Sequence, residues 1–299
     1  MVHASPLENI SINLNMLIHL YVSDDAMSDS IDEIEIRKAV KDRYSRLAGK
    51  KSCCCGGEYA SSIGYTQDEM SVLPEEAIEV SAGCGNPAAI AGLKPGETVL
   101  DLGSGGGIDV FLSARMVGPS GKAIGIDATP EMIWKARKAA KRMGMENVEF
   151  RLGEIECMPV ESGTIDVVIS NCVINLSPDK GKVFREAFRA LKPGGRLAVS
   201  DMVLTEELDA GESDKLRSWS SCIGGAIPLQ EYIKKMEEAG FTDIHVESKH
   251  VYTFEELAYM LSEPSGCGCG APMPSSLGQG SGLSKVASVR ITAIKSKRE

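Results

Sequence analysis

The sequence predicts an α/β protein: an open parallel sheet with helices packed on both faces. Three observations predict it. From Glu97 onward, short apolar runs alternate with helical stretches, the pattern of a parallel sheet buried on both sides. The first run leads directly into a glycine loop, Asp101-Leu-Gly-Ser-Gly-Gly-Gly, that opens a helix. The second run ends on an acid, Asp127, where the carboxyl end of a strand faces the ligand crevice of such folds.

The elements follow in order. Residues 1–30 show little periodicity, so either this arm is disordered or Met27 is the natural start. An amphipathic stretch from Ile31 to Leu47 predicts a helix that stops at Gly49. Cys53, Cys54 and Cys55, followed by two glycines, read as a loop. Thr98–Leu102 is the first strand, and the helix after its glycine loop runs through Val117. Ala123–Asp127 is the second strand, and Pro130–Met143 a helix with proline in its first turn. Val148–Leu152, Ile165–Ser170 and Arg196–Ser200 are further strands, with a helix over Lys180–Leu191. Helix Leu229–Ala239, strand Asp243–Ser248, helix Phe254–Leu261 and strand Ala287–Ile294 complete the set. Segment 262–285, rich in Gly, Ser and Pro and holding Cys267 and Cys269, is expected to be a mobile loop. The expected organisation is an arm (1–30), a helix and cysteine loop (31–75), a cofactor core (76–205) and a C-terminal part completing the sheet (206–299).

Composition narrows the function. A net charge of −10 and a pI near 5.1 argue against a nucleic-acid binder, which needs a basic face for phosphates. The basic run Lys135 to Arg142 reads as the solvated side of a helix. No apolar run reaches the roughly 20 residues needed to span a bilayer, and Ile10 to Val22 lacks the features of a signal peptide. A cytoplasmic protein is expected, with its nine cysteines present as thiols rather than as a disulfide framework.

The glycine loop points to a nucleotide-type cofactor. Gly103, Gly105 and Gly107 let the backbone turn sharply and approach a ligand where side chains would collide. Asp127 lies 20 residues after Gly107, placed to accept hydrogen bonds from both ribose hydroxyls. A dinucleotide fingerprint would need its third glycine where Ile108 stands. Asp101 would repel a pyrophosphate but pair with an ammonium group, which fits S-adenosylmethionine. Gly153 and Glu154 follow the third strand, Glu154 as acceptor for the adenine amino group, and Lys192-Pro-Gly-Gly-Arg precedes the fifth. With Ser104, Ala128, Met132 and Ile155, these residues make the expected cofactor set. The array is similar to that of class I S-adenosylmethionine-dependent methyltransferases over roughly residues 75–205. That resemblance implies a Rossmann-like sheet, mostly parallel with an antiparallel last strand.

The four histidines lie outside the motif loops, so no evident base activates an ordinary acceptor. Cysteines stand there instead. Ser62-Ile-Gly-Tyr-Thr, Val72-Leu-Pro, Ser81-Ala-Gly-Cys-Gly-Asn-Pro, Asn171-Cys-Val-Ile-Asn-Leu and Ser221-Cys-Ile-Gly-Gly-Ala closely resemble arsenite methyltransferases. The likeness runs from about residue 36 to 250. It implies that Cys172 and Cys222 are the principal arsenic ligands and Cys84 the third thiol. One of Cys53, Cys54 and Cys55, with Cys54 favoured, corresponds to an N-terminal cysteine that exchanges disulfide with Cys84. Asn171 is implied on the cofactor side. Soft thiolates select soft ions, and trivalent arsenic bound by three of them keeps a lone pair that can attack a methyl sulfonium without a base. The implied products are monomethyl and dimethyl arsenicals, with thioredoxin or glutathione as reductant and a monomeric enzyme. Two rivals remain at this stage beside a structural zinc site, which the lack of paired Cys-x-x-Cys spacing disfavours. One is a methyltransferase for an organic acceptor, which leaves the cysteines idle. The other is a thiol-based metalloid sensor.

Overall fold

The computed structural model describes residues 24–49, 64–80, 83–207, 221–253, 256 and 285–297. Ahead of the sheet come α1 (Asp24–Gly49), α2 (Gln67–Ser71), α3 (Glu75–Glu79) and α4 (Pro87–Ile90). The alternating part runs β1 (Thr98–Leu102), α5 (Ile108–Val117), β2 (Lys122–Asp127), α6 (Pro130–Met143) and β3 (Val148–Leu152). It continues through β4 (Ile165–Asn171), a 3₁₀ turn (Ile174–Leu176), α7 (Lys180–Ala190) and β5 (Leu191–Leu204). Then follow α8 (Ser221–Gly224), α9 (Leu229–Glu238), β6 (Thr242–Val251) and β7 (Val286–Ile294). These seven strands form one sheet in the order β3-β2-β1-β4-β5-β7-β6. Strands β3 to β5 pair in parallel, and β7 lies antiparallel between β5 and β6. The expected fold class, with its antiparallel last strand, is the one observed.

The central strands are apolar on both faces because helices cover both. Leu100, Leu102, Ile126 and Val168 pack with α7 and α9, whereas Val99, Val167, Ile169 and Ala198 pack towards α4 and α5. Strand order reverses between β1 and β4, so the loops at their carboxyl ends diverge and leave a crevice. That crevice holds the site.

The largest departures from the expected boundaries are at α1 and β5; the others are of one to three residues. Helix α1 starts at Asp24, so residues 24–30 and Met27 are helical rather than part of an unstructured arm. This first part includes the polar Ser28, Asp29 and Ser30. Each lies within about 0.7 kcal/mol of alanine in helix propensity, which an established helix tolerates. Strand β5 exceeds its expected span at both ends. Its pairing with β4 jumps from Ile165↔Leu191 to Val167↔Arg196, so Lys192–Gly195 bulges out of the ladder, and β7 carries the strand on to Leu204. Helix α6 has the expected limits; Ala136, Ala139 and Ala140 are buried, and Lys138, Lys141 and Arg142 exposed. Residues 1–23, the loop with Cys53–Cys55, the Cys267/Cys269 segment and, apart from Glu256, the predicted helix Phe254–Leu261 lie outside the described residues. Among the described residues no helix is long and apolar enough to cross a membrane.

Candidate functional site

At the end of β1 the backbone turns at Gly103 (φ 65°), where a Cβ would lie 2.2 Å from Val173 Cγ2. Only glycine fits that approach. The Gly105 N–H donates to Asp127 Oδ2 at 2.9 Å and the Thr129 N–H to Oδ1 at 2.8 Å. The carboxylate at the end of β2 is thereby fixed while keeping lone pairs free for a ligand's hydroxyls. Burial raises its pKa, and these two bonds oppose the rise.

Two further acids share the crevice. Burial pushes Asp101 well above the usual carboxylate range, and the charges of Asp109 and Asp127 push it further. Asp109, buried in the first turn of α5, is raised to about 6 by burial, with hydrogen bonds from Tyr65 and Asn171 opposing. An ammonium group placed here would relieve both carboxylates at once. Two crowded acids, a glycine loop and an anchored strand-end aspartate fit S-adenosylmethionine, which brings a ribose, a sulfonium and an ammonium.

Ten of the eleven expected cofactor residues line this crevice: Asp101, Gly103, Ser104, Gly105, Asp127, Ala128, Met132, Glu154, Ile155 and Asn171. Gly153 does not line it; a Cβ there would meet the Pro159 ring at 2.8 Å, so its glycine serves packing. Glu154, expected to face an adenine amine, already holds Lys41 of α1 at 2.5 Å. Helix α1 lies over the crevice mouth. Arg37, Val40, Lys41 and Tyr44 line it, Arg37 pairs with Glu156 at 2.7 Å, and Ser45 donates to Glu131 at 2.8 Å.

Beyond the acids stand the cysteines. Cys172, just past β4, has a left-handed backbone (φ 58°), an uncommon conformation for a residue with a Cβ and one that gathers at functional sites. Its N–H donates to the Ser200 carbonyl at 2.8 Å. Cys172 lines the crevice and is joined to Cys84 in a disulfide with its Cα atoms 5.8 Å apart. The expectation that all cysteines are free thiols is therefore corrected for this pair. Compartment argues against structural scaffolds, not against a redox pair whose loops meet at one crevice. Met202, Leu204, Ile223 and Val286 pack around the pair. Cys222 lies beside Ile223 on α8, but its side chain, like Cys53, Cys54 and Cys55, falls outside the described residues.

The Asp201 carboxylate comes within 4.8 Å of both sulfurs. It accepts from Asn175 Nδ2 at 2.9 Å and from the Tyr232 hydroxyl at 3.1 Å. Burial raises its pKa to about 7.

Sequence reasoning missed Tyr65, Asp109, Asp201 and the α1 cations. Asp109 resembles any first-turn acid, and Asp201 sits in an apolar strand; in both, the one available signal was a charge at a position whose neighbours are core. Tyr65 stood within a motif without a role. Its hydroxyl donates to both Asp109 oxygens, at 2.8 and 2.9 Å.

Comparison with known proteins agrees with this geometry. The family model described as a methyltransferase domain matches residues 93–258, more than half of the chain. An arsenite methyltransferase of Halobacterium salinarum is 42% identical over 236 residues, covering 73% of this chain and 60% of that protein. One from Aquipseudomonas alcaligenes is 40% identical over 207 residues, covering 65% of this chain and 57% of that protein. The chain thus spans about 60% of the length of these curated relatives. The crystal structure of CrArsM, an arsenic(III) S-adenosylmethionine methyltransferase from Chlamydomonas reinhardtii, superposes with a TM-score of 0.61 at 30% identity, covering 77% of this chain and 73% of that one. Fold, crevice and likeness converge: the chain belongs to the methyltransferase family, and within it is similar to arsenite methyltransferases.

Proposed function

We propose that this protein transfers methyl groups from S-adenosylmethionine to trivalent arsenic held by cysteine thiolates, giving mono- and dimethylated arsenicals in the cytoplasm. The observation that carries the proposal is the position of Cys172, which lines the crevice of the three acids while paired with Cys84. A soft-metalloid site and a cofactor site therefore share one wall.

When bound, S-adenosylmethionine supplies an electrophilic methyl group. Asp127 would accept hydrogen bonds from its ribose hydroxyls and Asp101 and Asp109 would hold its ammonium group, while the glycine loop would let the backbone approach it closely. Met132 and Ile155 line the same crevice and would offer apolar contact. With the disulfide reduced, Cys84, Cys172 and Cys222 hold arsenite, one of Cys53–Cys55 completing the thiol relay. Arsenite so held would take the methyl group through its lone pair, the methyl leaving the sulfonium without its bonding electrons, so the cofactor would supply the carbon and the thiolates the aligned acceptor. Arsenic is then formally pentavalent. Two thiolates give up two electrons, become the Cys84–Cys172 disulfide and return arsenic to the trivalent state. Glutathione or thioredoxin reduces that disulfide by thiol exchange. No base is required, and alignment supplies the rate. The division into a cofactor core over 76–205, with arsenic-binding parts over 31–75 and 206–299, belongs to the same proposal, as does action as a monomer.

Arsenic speciation tests it. Protein incubated with arsenite, S-adenosylmethionine and glutathione yields methylated arsenic, and Cys172→Ser abolishes the product while keeping cofactor affinity. Arsenite bound without methylation would point instead to a sensor. Unimpaired methylation of an organic acceptor by Cys172→Ser would place the chemistry elsewhere.

A further inference from the structure

The amide of Asn171 makes more contacts than a cofactor-lining residue needs. Its Oδ1 accepts from the Cys84 N–H at 2.9 Å, and its Nδ2 donates to the Gly85 carbonyl at 2.6 Å. The two bonds grip the backbone on either side of the cysteine. Nδ2 also reaches the Tyr65 hydroxyl at 3.0 Å and Asp109 Oδ2 at 3.2 Å. Its two protons serve three acceptors, so the amide ties the Cys84 loop to the acids of the crevice. Gly83 closes over the same group: a Cβ there would lie 2.4–2.5 Å from Asn171 Nδ2, Cγ and Oδ1.

We propose that Asn171 is a positioning residue for the thiol pair, its amide clamping Gly83–Cys84–Gly85 against the end of β4 so that Cys84 stays within bonding reach of Cys172. Asn171 and Cys172 are consecutive, and the left-handed turn at Cys172 is what brings both side chains to the one loop. The clamp needs an amide. A carboxylate of the same shape accepts from the Cys84 N–H but has no proton for Gly85 or Tyr65, and adds a charge beside Asp109. An alanine makes none of the bonds. The geometry stands alone, whereas its value in catalysis, keeping two thiolates at arsenic-binding separation, rests on the function proposed above.

Holding the loop raises the effective concentration of one thiol at the other. Two hydrogen bonds, each of ordinary net strength, correspond to about a tenfold to hundredfold effect on the intramolecular equilibrium. The exchange is balanced: the Cys84–Cys172 disulfide plus two glutathione thiols gives two protein thiols plus glutathione disulfide. The test equilibrates the full chain in glutathione redox buffers, without arsenite or S-adenosylmethionine. The bonded fraction of this one pair is read by differential thiol alkylation and peptide mass spectrometry. Asn171→Ala, Asn171→Asp and Gly83→Ala each shift the equilibrium toward the dithiol by about tenfold or more. Asn171→Ala also makes room for the added methyl, so Gly83→Ala costs little further in that background. This size exchange separates a clamp from general loosening. If Asn171→Ala fails to fold, Asn171→Asp, of the same shape, carries the comparison. Variants within about twofold of the parent, or strictly additive shifts in the double variant, would overturn the clamp. Because no arsenic is present, failure here leaves the methylation result untouched, and the converse also holds.

Discussion

Helix α1 is held over the cofactor crevice by Arg37, which pairs with Glu156 and at 3.9 Å with Glu154, and by Lys41, which pairs with Glu154; their surroundings differ greatly, which ranks the effects of removing the two cations. Glu156 is only 4% exposed and faces Arg37, itself 27% exposed, at 2.7 Å; its other partner is the Ser177 hydroxyl at 2.6 Å. Arg37→Ala strands a nearly buried carboxylate with one neutral donor. Losing a charged hydrogen bond costs about 1.5–3 kcal/mol, and breaking a fully buried pair about 3–5. Water reaching the vacated Arg37 side favours the lower range, so about 2 kcal/mol, or roughly 30-fold, is expected. Lys41 and Glu154 are 42% and 37% exposed, where a pair contributes about 0.2–1 kcal/mol, at most about fivefold. Since Val40 and Tyr44 form part of the crevice wall, loss of closure appears as weaker cofactor affinity, up to those factors. Calorimetric titration with S-adenosylhomocysteine measures it. Adding Glu156→Gln to Arg37→Ala recovers part of the loss, because the stranded charge is gone. Equal effects of Arg37→Ala and Lys41→Ala, or no recovery in the double variant, would refute the burial reasoning.

The acids and glycines of the crevice give two more tests. Asp109, at about 6 in the folded chain against about 3.9 unfolded, keeps its proton when folded between those values. Stability from this group is therefore full below about pH 4, falls by about 1.4 kcal/mol per pH unit as the unfolded chain ionises, and levels above about pH 6. Relative to the parent, Asp109→Asn gains stability across that window in urea titrations at successive pH values; a pH-independent difference would sink the assignment. Gly103→Ala and Gly105→Ala separate fold from ligand. Both have positive φ, but a Cβ at Gly103 strikes Val173 while one at Gly105 meets nothing within 4 Å. The first loses about 2–4 kcal/mol of stability. The second loses about 1 while its cofactor affinity falls at least about tenfold, because the open space at Gly105 belongs to the ligand. Melting curves beside cofactor titrations distinguish them.

What the chain announces about itself divides along sequence distance. The glycine loop, Asp127 and the limits of α6 are local matters, set by turn conformation and periodicity within a few residues, and they are legible. The thiol pair joins residues 88 apart, and the Tyr65 and Cys84 contacts of Asn171 span 106 and 87. No periodicity encodes such meetings, since they depend on which strand ends the topology brings together. Resemblance supplied the importance of Cys84, Cys172 and Asn171 but not their arrangement. It put Asn171 on the cofactor side, whereas its amide faces the cysteine loop as well. The α1 cations were equally hidden, because Arg37 and Lys41 on a charged amphipathic helix look like ordinary solvated residues.

The site accepts electrostatic costs that the fold alone would not select. Asp101 and Asp109 are buried with Asp127 half-buried beside them, and desolvation raises the pKa of each. Asp201 lies buried beside the sulfur pair with its pKa raised in the same way. Asp101 and Asp127, at the carboxyl ends of β1 and β2, and Asp109, in the first turn of α5, share one crevice, and that location shows what the cost is for. A ligand carrying an ammonium and a sulfonium finds carboxylates already oriented and largely desolvated, so little reorganisation remains when it binds. The same crowding selects against anions, including the pyrophosphate of a dinucleotide, which the glycine loop by itself would admit. Specificity for a cationic methyl donor thus comes less from the loop than from the acids around it. Cys172 lines the same crevice as these acids, so carboxylates suited to a cation and a soft sulfur face one space.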